Sequence, residues 1–439
     1  MTLPCYYALG GINFKNGFVT SCPQQSDQLQ ILDESYLPSE FFNSQNFKQH
    51  RLDLMNGDWP RGCDMCMFVE QDKSGKSMRQ EEPVDLKYFN HTTGDVAFAG
   101  LKTVEIRFSH SCNMACLHCS QVFSSGWMTK LKRYESDEED KQHQLHQLTG
   151  VMHRKSPDDD LTMSISTERA LEIVKDLNKN FPNIERIDFA GGEVLYQKQF
   201  FPTLRKLAEH PNAKNMLIMF HSNFNADFDP IELNEVLQPF GKSRIMVSVD
   251  SGPRIYPYFR QGSWDKLKSN LSAFQAVNKV TDLNLVCTTS VYQIMEIQDV
   301  FAGFLSLGCD WLSSSIVYTP DYLNPSLMML EYSDKVLEDL DAARSYVFEL
   351  EKDRIKNLKE TQHMRNFIGD INKPLWSDIC SSVSAIENIR TYVTNKQPDP
   401  KHYEALMVYI RKSDEIWKQN FNNYVVNYKY VDGKIERVV

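Results

Sequence analysis

The chain has 439 residues, 41% apolar and 24% charged, the balance of an ordinary globular protein and enough length to bury most of its surface without disulfides. A net charge of −10 and a pI near 5.6 argue against a broad nucleic-acid-binding face or an anionic membrane partner. The opening Met1-Thr2-Leu3-Pro4-Cys5 has no basic stretch followed by an apolar run, and no segment approaches the ~18 uncharged apolar residues of a membrane helix. A cytoplasmic protein with no membrane partner is expected, and its ten cysteines are read as metal ligands or buried thiols.

Residues 1 to about 85 carry few periodic runs but many turn formers, including Gly10-Gly11, Asn16-Gly17 and Asn56-Gly57. That pattern predicts a small, loop-rich module whose modest core is supplemented by a bound centre. Four cysteines lie in it: Cys5, Cys22 at the end of a GX4C run from Gly17, and the CX2C pair Cys63 and Cys66. Glu70, Gly75, Ser77 and Arg79 follow. Four thiolates can close a tetrahedral zinc site or hold a complete iron–sulfur cubane, and the spacing allows either.

From about residue 102, short apolar or alternating runs predict strands at Val104–Phe108, Ile184–Ala190, Met216–His221, Arg244–Asp250, Asn284–Ser290 and Trp311–Tyr318. Helical patterns lie between them, the clearest after Ser166, a predicted N-cap, with Ala170, Leu171, Val174 and Leu177 on one face. Strands alternating with helices imply an α/β fold of parallel strands joined by right-handed crossovers, either a partial (β/α)6 barrel or an open sheet. Residues 128–163 are polar, with Asp137-Glu138-Glu139-Asp140 and Asp158-Asp159-Asp160, and are read as an inserted loop. From 331 onward the pattern is helical, with Val336, Leu337 and Leu340 and a second region near 401–421. The expected organisation is therefore a cluster module at 1–90, a barrel at 100–330 and a helical region at 331–439.

Directly after the first predicted strand comes Ser-His-Ser-Cys112-Asn-Met-Ala-Cys116-Leu-His-Cys119, a CX3CX2C loop. Structural zinc sites close four ligands, and a complete cubane takes four thiolates. Three cysteines leave one iron open to a substrate or cofactor. A zinc knuckle or three buried thiols is the bland alternative. Downstream, strand ends carry Gly191-Gly192-Glu193, His221-Ser222-Asn223 and Ser248-Val249-Asp250-Ser251, followed by Arg260-Gln261-Gly262-Ser263-Trp264. Strand C-terminal ends are where barrel enzymes build their sites. A guanidinium suits a carboxylate, and a Gly-Gly turn lets backbone approach a ligand.

This series resembles the radical S-adenosylmethionine (SAM) superfamily, whose signature is such a cysteine loop after the first strand of a partial β/α barrel. The resemblance implies a [4Fe–4S] cluster on Cys112, Cys116 and Cys119, with SAM chelated at the open iron. It implies reductive cleavage of SAM to a 5′-deoxyadenosyl radical that takes a hydrogen atom from substrate. His118 matches the position near the adenine. Gly191, Gly192 and Glu193 match the motif that holds the SAM amino group. Ser222, Asn223, Ser248 and Asp250 match strand-end positions near SAM, and Arg260 the partner of its carboxylate. Phe224 and Ser251 stand where relatives have glycine, and a GXIXGXXE adenine motif is not found.

The N-terminal pattern is similar to SPASM/twitch auxiliary-cluster modules, here placed before the barrel, and Trp127 fits the same group. This implies an auxiliary Fe–S cluster on Cys5, Cys22, Cys63 and Cys66, with zinc the alternative. It also implies an electron donor such as a flavodoxin or ferredoxin, and a peptide, protein or small-molecule substrate. The rival readings are a non-catalytic electron carrier or metal scaffold, and a nucleic-acid-modifying enzyme, which the acidic balance disfavours. Cys287 and Cys309 are expected in the core, and Cys380, beside Trp376 and Asp378, is a lesser candidate for a site role.

Overall fold

The computed structural model describes residues 4–15, 18–25, 30–31, 36–72, 77–81, 83–120, 123–135, 164–309, 311–317, 320–358 and 381–438. Gly17, Gly75, Cys380 and most of the polar insertion lie outside the described residues.

A nine-stranded sheet organises the molecule. Its strands are β1 (Gly11–Lys15), β2 (Phe18–Thr20), β3 (Gln30–Ile31), β4 (Thr103–Arg107), β5 (Arg186–Ala190), β6 (Leu217–Ser222), β7 (Lys242–Ser248), β8 (Thr281–Thr289) and β9 (Trp311–Ile316). The order is β3-β2-β1-β4-β5-β6-β7-β8-β9. Every pair from β1 to β9 is parallel, and β2 and β3 join antiparallel at the edge. Strands β4 to β9 sit in chain order, as successive right-handed β/α units produce. All six predicted strands are present, shifted by a few residues at most. The fold is α/β, consistent with a partial barrel.

Alternation along the strands separates two faces. Val104, Ile106, Ile187, Phe189, Ile218, Phe220, Ile245 and Val247 are all essentially buried, each contributing about 1.5–3 kcal/mol. The same core takes Ala170, Ile173, Val174 and Leu177 from the helix Thr167–Asn180, whose first turn is capped by Ser166 Oγ accepting from the Arg169 N–H at 3.1 Å. Intervening positions give the other face a polar lining that includes Glu105, Arg107, Arg186, Asp188 and His221. Arg107 pairs with Glu105 at 2.6 Å and Arg186 with Asp188 at 2.8 Å.

The N-terminal segment departs from the picture of a loop-rich module. Its β1 pairs with β4, and Phe14, Phe41, Phe42 and Phe47 lie in the common core. Arg51, fully buried, ties the segment together: Nε donates to the Ala8 carbonyl at 3.0 Å, Nη1 to Asn43 Oδ1 at 2.9 Å and Nη2 to the Phe42 carbonyl at 2.8 Å. Its guanidinium also lies over the Phe42 ring, 4.6 Å from the centroid. β1 follows directly on the short helix Tyr6–Gly10, in a stretch of many turn formers and few periodic runs, which is why sequence pattern misses it.

The C-terminal region is helical as expected, with helices Met329–Leu358, Ser381–Asn395 and Pro400–Trp417, and it ends in a hairpin of Tyr428–Val431 and Lys434–Arg437. Cys287 is buried and Cys309 is half-buried against the core. No helix among the described residues is long and apolar enough to cross a membrane.

Candidate active site

The loop after β4 is fixed by contacts that its own sequence does not contain. The Cys112 N–H donates to Ser125 Oγ at 3.0 Å and the Leu117 N–H to the Phe259 carbonyl at 2.8 Å. The indole of Trp127, itself buried, donates to the Cys116 carbonyl at 2.7 Å, and the Tyr409 hydroxyl donates to the Leu117 carbonyl. Trp127 packs edge-on to Trp417, 4.5 Å between centroids. The C-terminal helix thus buttresses the loop from outside, a role for which residues 331–439 gave no sequence signal.

On the inner side, Gly191 and Gly192 turn with φ of +86° and +48°. A Cβ on Gly192 would lie 2.1 Å from the Ser111 carbonyl oxygen, so a side chain there would displace the loop. The Glu193 N–H donates to that same carbonyl at 2.9 Å, and Gln197 Nε2 donates to the Gly191 carbonyl at 2.8 Å. The Glu193 carboxylate is buried. It accepts from Ser222 Oγ at 2.8 Å, the Asn223 N–H at 2.6 Å and the Leu195 N–H at 3.0 Å. Glu193 therefore clamps the end of β5 to the end of β6. Asn223 continues the chain of contacts, its Nδ2 donating to Asn113 Oδ1 inside the cysteine loop at 2.9 Å.

The ends of β7 and β8 close the ring. Ser248 terminates β7. Asp250 is buried; Oδ2 accepts from Arg260 Nη1 at 2.5 Å, and Oδ1 accepts from the Thr288 N–H at 2.6 Å. His118 Nε2 lies 3.7 Å from the same carboxylate, and its ring stacks on Phe259 at 4.9 Å with planes 11° apart. Burial pushes the His118 imidazole down to about 4, which leaves it neutral at neutral pH. At Phe224, one of the two positions where glycine is replaced, the backbone keeps a left-handed turn with φ of +52°; at the other it is Asp250, the residue before Ser251, that is left-handed, with φ of +56°.

Residues 106–294 match the family model of the radical SAM superfamily. This stretch is a radical SAM domain. Solved structures similar to it include anSMEcpe with bound AdoMet, at 17% identity and a TM-score of 0.36, covering 50% of this chain and 52% of that one. Streptococcus suis SuiB bound to S-adenosylmethionine matches at 14% identity and a TM-score of 0.36, over 69% of this chain and 62% of that one. TYW1 with a lysine-pyruvate adduct matches at 14% identity and a TM-score of 0.27, over 58% and 74%. The chain spans about half the length of the first of these. A search of curated proteins gave no match.

The donor set of the radical SAM domain fits the cluster and cofactor that the superfamily implies. Cys112, Cys116 and Cys119 lie close enough to act on one another electrostatically, and Arg260 acts on all three. Burial pushes the Cys119 thiol up to about 12, with Cys112 adding to the effect. Buried polar atoms left without a partner at this site include His118 Nδ1 and Arg260 Nε. Both are groups that a polar ligand could meet.

Outside the domain, Cys5, Cys22, Cys63 and Cys66 line one cavity together with Gln25, His50, Trp59 and Arg79. Burial, with the neighbouring cysteines adding to it, pushes the Cys22 and Cys63 thiols up to about 12. Arg79 pairs with Glu70, Nε to Oε1 at 3.0 Å, and donates from Nη1 to the Pro4 carbonyl at 3.0 Å, next to Cys5. Among the described residues no group of three or more His, Cys, Asp or Glu is placed to hold a metal ion. Thiolates on a cubane each take a different iron and stand farther apart than those on one zinc.

Proposed function

We propose that this protein is a two-centre radical SAM enzyme. Cys112, Cys116 and Cys119 would hold three irons of a [4Fe–4S] cluster and leave the fourth for SAM. When bound, that cluster supplies the electron that cleaves SAM reductively and yields the 5′-deoxyadenosyl radical, which takes a hydrogen from substrate. Arg260, oriented by Asp250, would meet the SAM carboxylate through its unpartnered Nε–H. The stacked pair His118 and Phe259 offers a flat apolar surface for the adenine. Glu193 serves chiefly to hold the Gly191-Gly192 turn against β6, so that backbone rather than carboxylate would face the amino group. Ser222, Asn223 and Ser248 supply the rim at the strand ends.

The observation that carries this reading is the assembly, within a chain segment matching the radical SAM model, of a three-cysteine loop against three strand ends. An auxiliary Fe–S cluster on Cys5, Cys22, Cys63 and Cys66 would accept or relay one electron, having no open iron for substrate. A peptide, protein or polar metabolite is the substrate class we favour; the charged lining around Glu105, Arg107 and Asp188 supports a polar one. The reductant would be a flavodoxin or ferredoxin.

Iron and sulfide analysis with EPR, on anaerobically reconstituted protein before and after SAM, tests this. About eight irons and a signal that shifts with SAM support two cubanes, one open to the cofactor. About four irons and one zinc would keep the enzyme and reduce the N-terminal centre to a structural clip. Zinc alone, unresponsive to SAM, overturns the reading.

A further inference from the structure

The cavity of the four N-terminal cysteines carries an amide donor that no described group of the protein satisfies. Gln25 is 2% exposed and lines this cavity. Its Oε1 accepts from the Ser21 N–H at 3.1 Å and from Ser21 Oγ at 3.0 Å. A backbone N–H can only donate, so this contact fixes which end of the amide is oxygen and leaves no freedom to flip it. The NH2 end is thereby turned away from Ser21, and Nε2 has no hydrogen-bond partner. A buried donor without an acceptor is costly to keep, and such groups mark an acceptor that arrives from outside the chain.

The acceptors this cavity would gain are sulfurs. The Gln25 N–H is already spent on the Cys22 carbonyl at 3.2 Å. The charge of Arg79 is balanced by Glu70. The neutral amide of Gln25 is a buried donor left unspent among the described residues. Hydrogen bonds to the sulfurs of an iron–sulfur cluster are among the terms that set its potential, because one added electron makes the sulfurs more negative and the bond stronger.

We propose that the Gln25 side chain donates to a sulfur of the centre held by Cys5, Cys22, Cys63 and Cys66 and raises its reduction potential, which suits it to accept electrons. The proposal rests on the reading of that cavity as an iron–sulfur site. Gln25 is a positioning residue here, acting through the cluster and touching no substrate.

The test is an EPR-monitored redox titration of full-length reconstituted wild type, Gln25→Leu and Gln25→Glu, following the signal that does not move with SAM. Gln25→Glu keeps the acceptor for Ser21 and so controls for loop support, while Gln25→Leu removes the donor without adding a charge and is the variant whose midpoint decides. Both variants should keep wild-type iron content and shift the midpoint to more negative potential, Gln25→Glu at least as far as Gln25→Leu. Equal midpoints in wild type and Gln25→Leu overturn the proposal. If either variant loses the centre, wild type carrying side-chain-15N glutamine decides by pulsed EPR. A 15N coupling in the reduced signal supports the hydrogen bond, and its absence overturns it. Zinc in the wild-type cavity would instead sink the iron–sulfur reading itself, and the proposal with it.

Discussion

Cys112, Cys116 and Cys119 sit on one short loop, whereas Cys5, Cys22, Cys63 and Cys66 reach their cavity from separate segments: the first helix, the turn after β2, and the start of the helix Asp64–Asp72. The first site is held by the protein around it. Trp127, Tyr409, Phe259 and the Gly191-Gly192 turn fix the loop backbone through contacts that require no metal. The second site is held by aromatic packing and Arg51 on one side, while its cysteine-bearing segments meet mainly at the cavity. A loop built on a finished scaffold can lose its cluster and keep its shape. Segments that converge on a centre make that centre part of the fold.

The largest effect should come from Cys116→Ala. It should abolish formation of 5′-deoxyadenosine from SAM and remove about four of eight irons, while melting close to wild type. The N-terminal EPR signal should persist. SAM cleavage at the wild-type rate in this variant would break the assignment of the loop. The double variant Cys63→Ala with Cys66→Ala should invert the pattern. Uncoupled SAM cleavage survives and substrate turnover stops, but stability falls by about 4 kcal/mol or more, on the order of 4 °C in Tm by calorimetry for a chain of this length. An unchanged Tm would mean that the N-terminal strands hold without their centre.

A smaller effect is expected at the buried Asp250–Arg260 pair, which belongs to the scaffold of the first site. Asp250→Asn leaves the Arg260 guanidinium uncompensated, a loss of about 3 kcal/mol, and weakens SAM binding because the arginine loses its orientation. SAM brings a carboxylate to the same guanidinium. The thermal shift on adding SAM should therefore be smaller than the wild-type shift at the same ligand concentration. An equal shift would place the SAM carboxylate elsewhere.

These contrasts also explain what could be read from the sequence. The barrel strands were legible because Val104, Ile106, Ile187 and Phe189 alternate over whole elements, and the cysteine loop because its three cysteines lie within one short run of sequence. The N-terminal cysteines line one cavity together, but β1 was not read, since it lies in a stretch of many turn formers and few periodic runs. Glu193 was read as a group for the SAM amino group; that its carboxylate also accepts from Ser222, Asn223 and Leu195 could not be read, because that partnership is set by the spacing of two strands in space. Tyr409, which supports the loop from nearly three hundred residues away, offered no local signal because its role exists only once the C-terminal helix has docked.

Phe224 gives the finest test of the scaffold. Its backbone is left-handed, with φ of +52°, at the position following the Asn223 N–H that Glu193 accepts. Holding a non-glycine residue there costs about 1–2 kcal/mol. Its ring is fully buried against Phe228 and Phe274, at 5.4 and 6.1 Å between centroids, and deleting such a ring costs about 3–5 kcal/mol. Burial therefore outweighs strain, and Phe224→Gly should be destabilised by a net of about 2 kcal/mol. Phe224→Ala loses the ring and keeps the strain. The usual order of alanine above glycine should accordingly reverse, with Phe224→Gly more stable by about 1 kcal/mol in chemical denaturation. The reversal should persist after the iron is removed, because the packing that enforces this turn involves none of the cysteines. Reversal only in the iron-loaded protein would mean that the cluster shapes the strand ends, and the contrast between a finished scaffold and a centre-dependent fold would no longer separate the two sites.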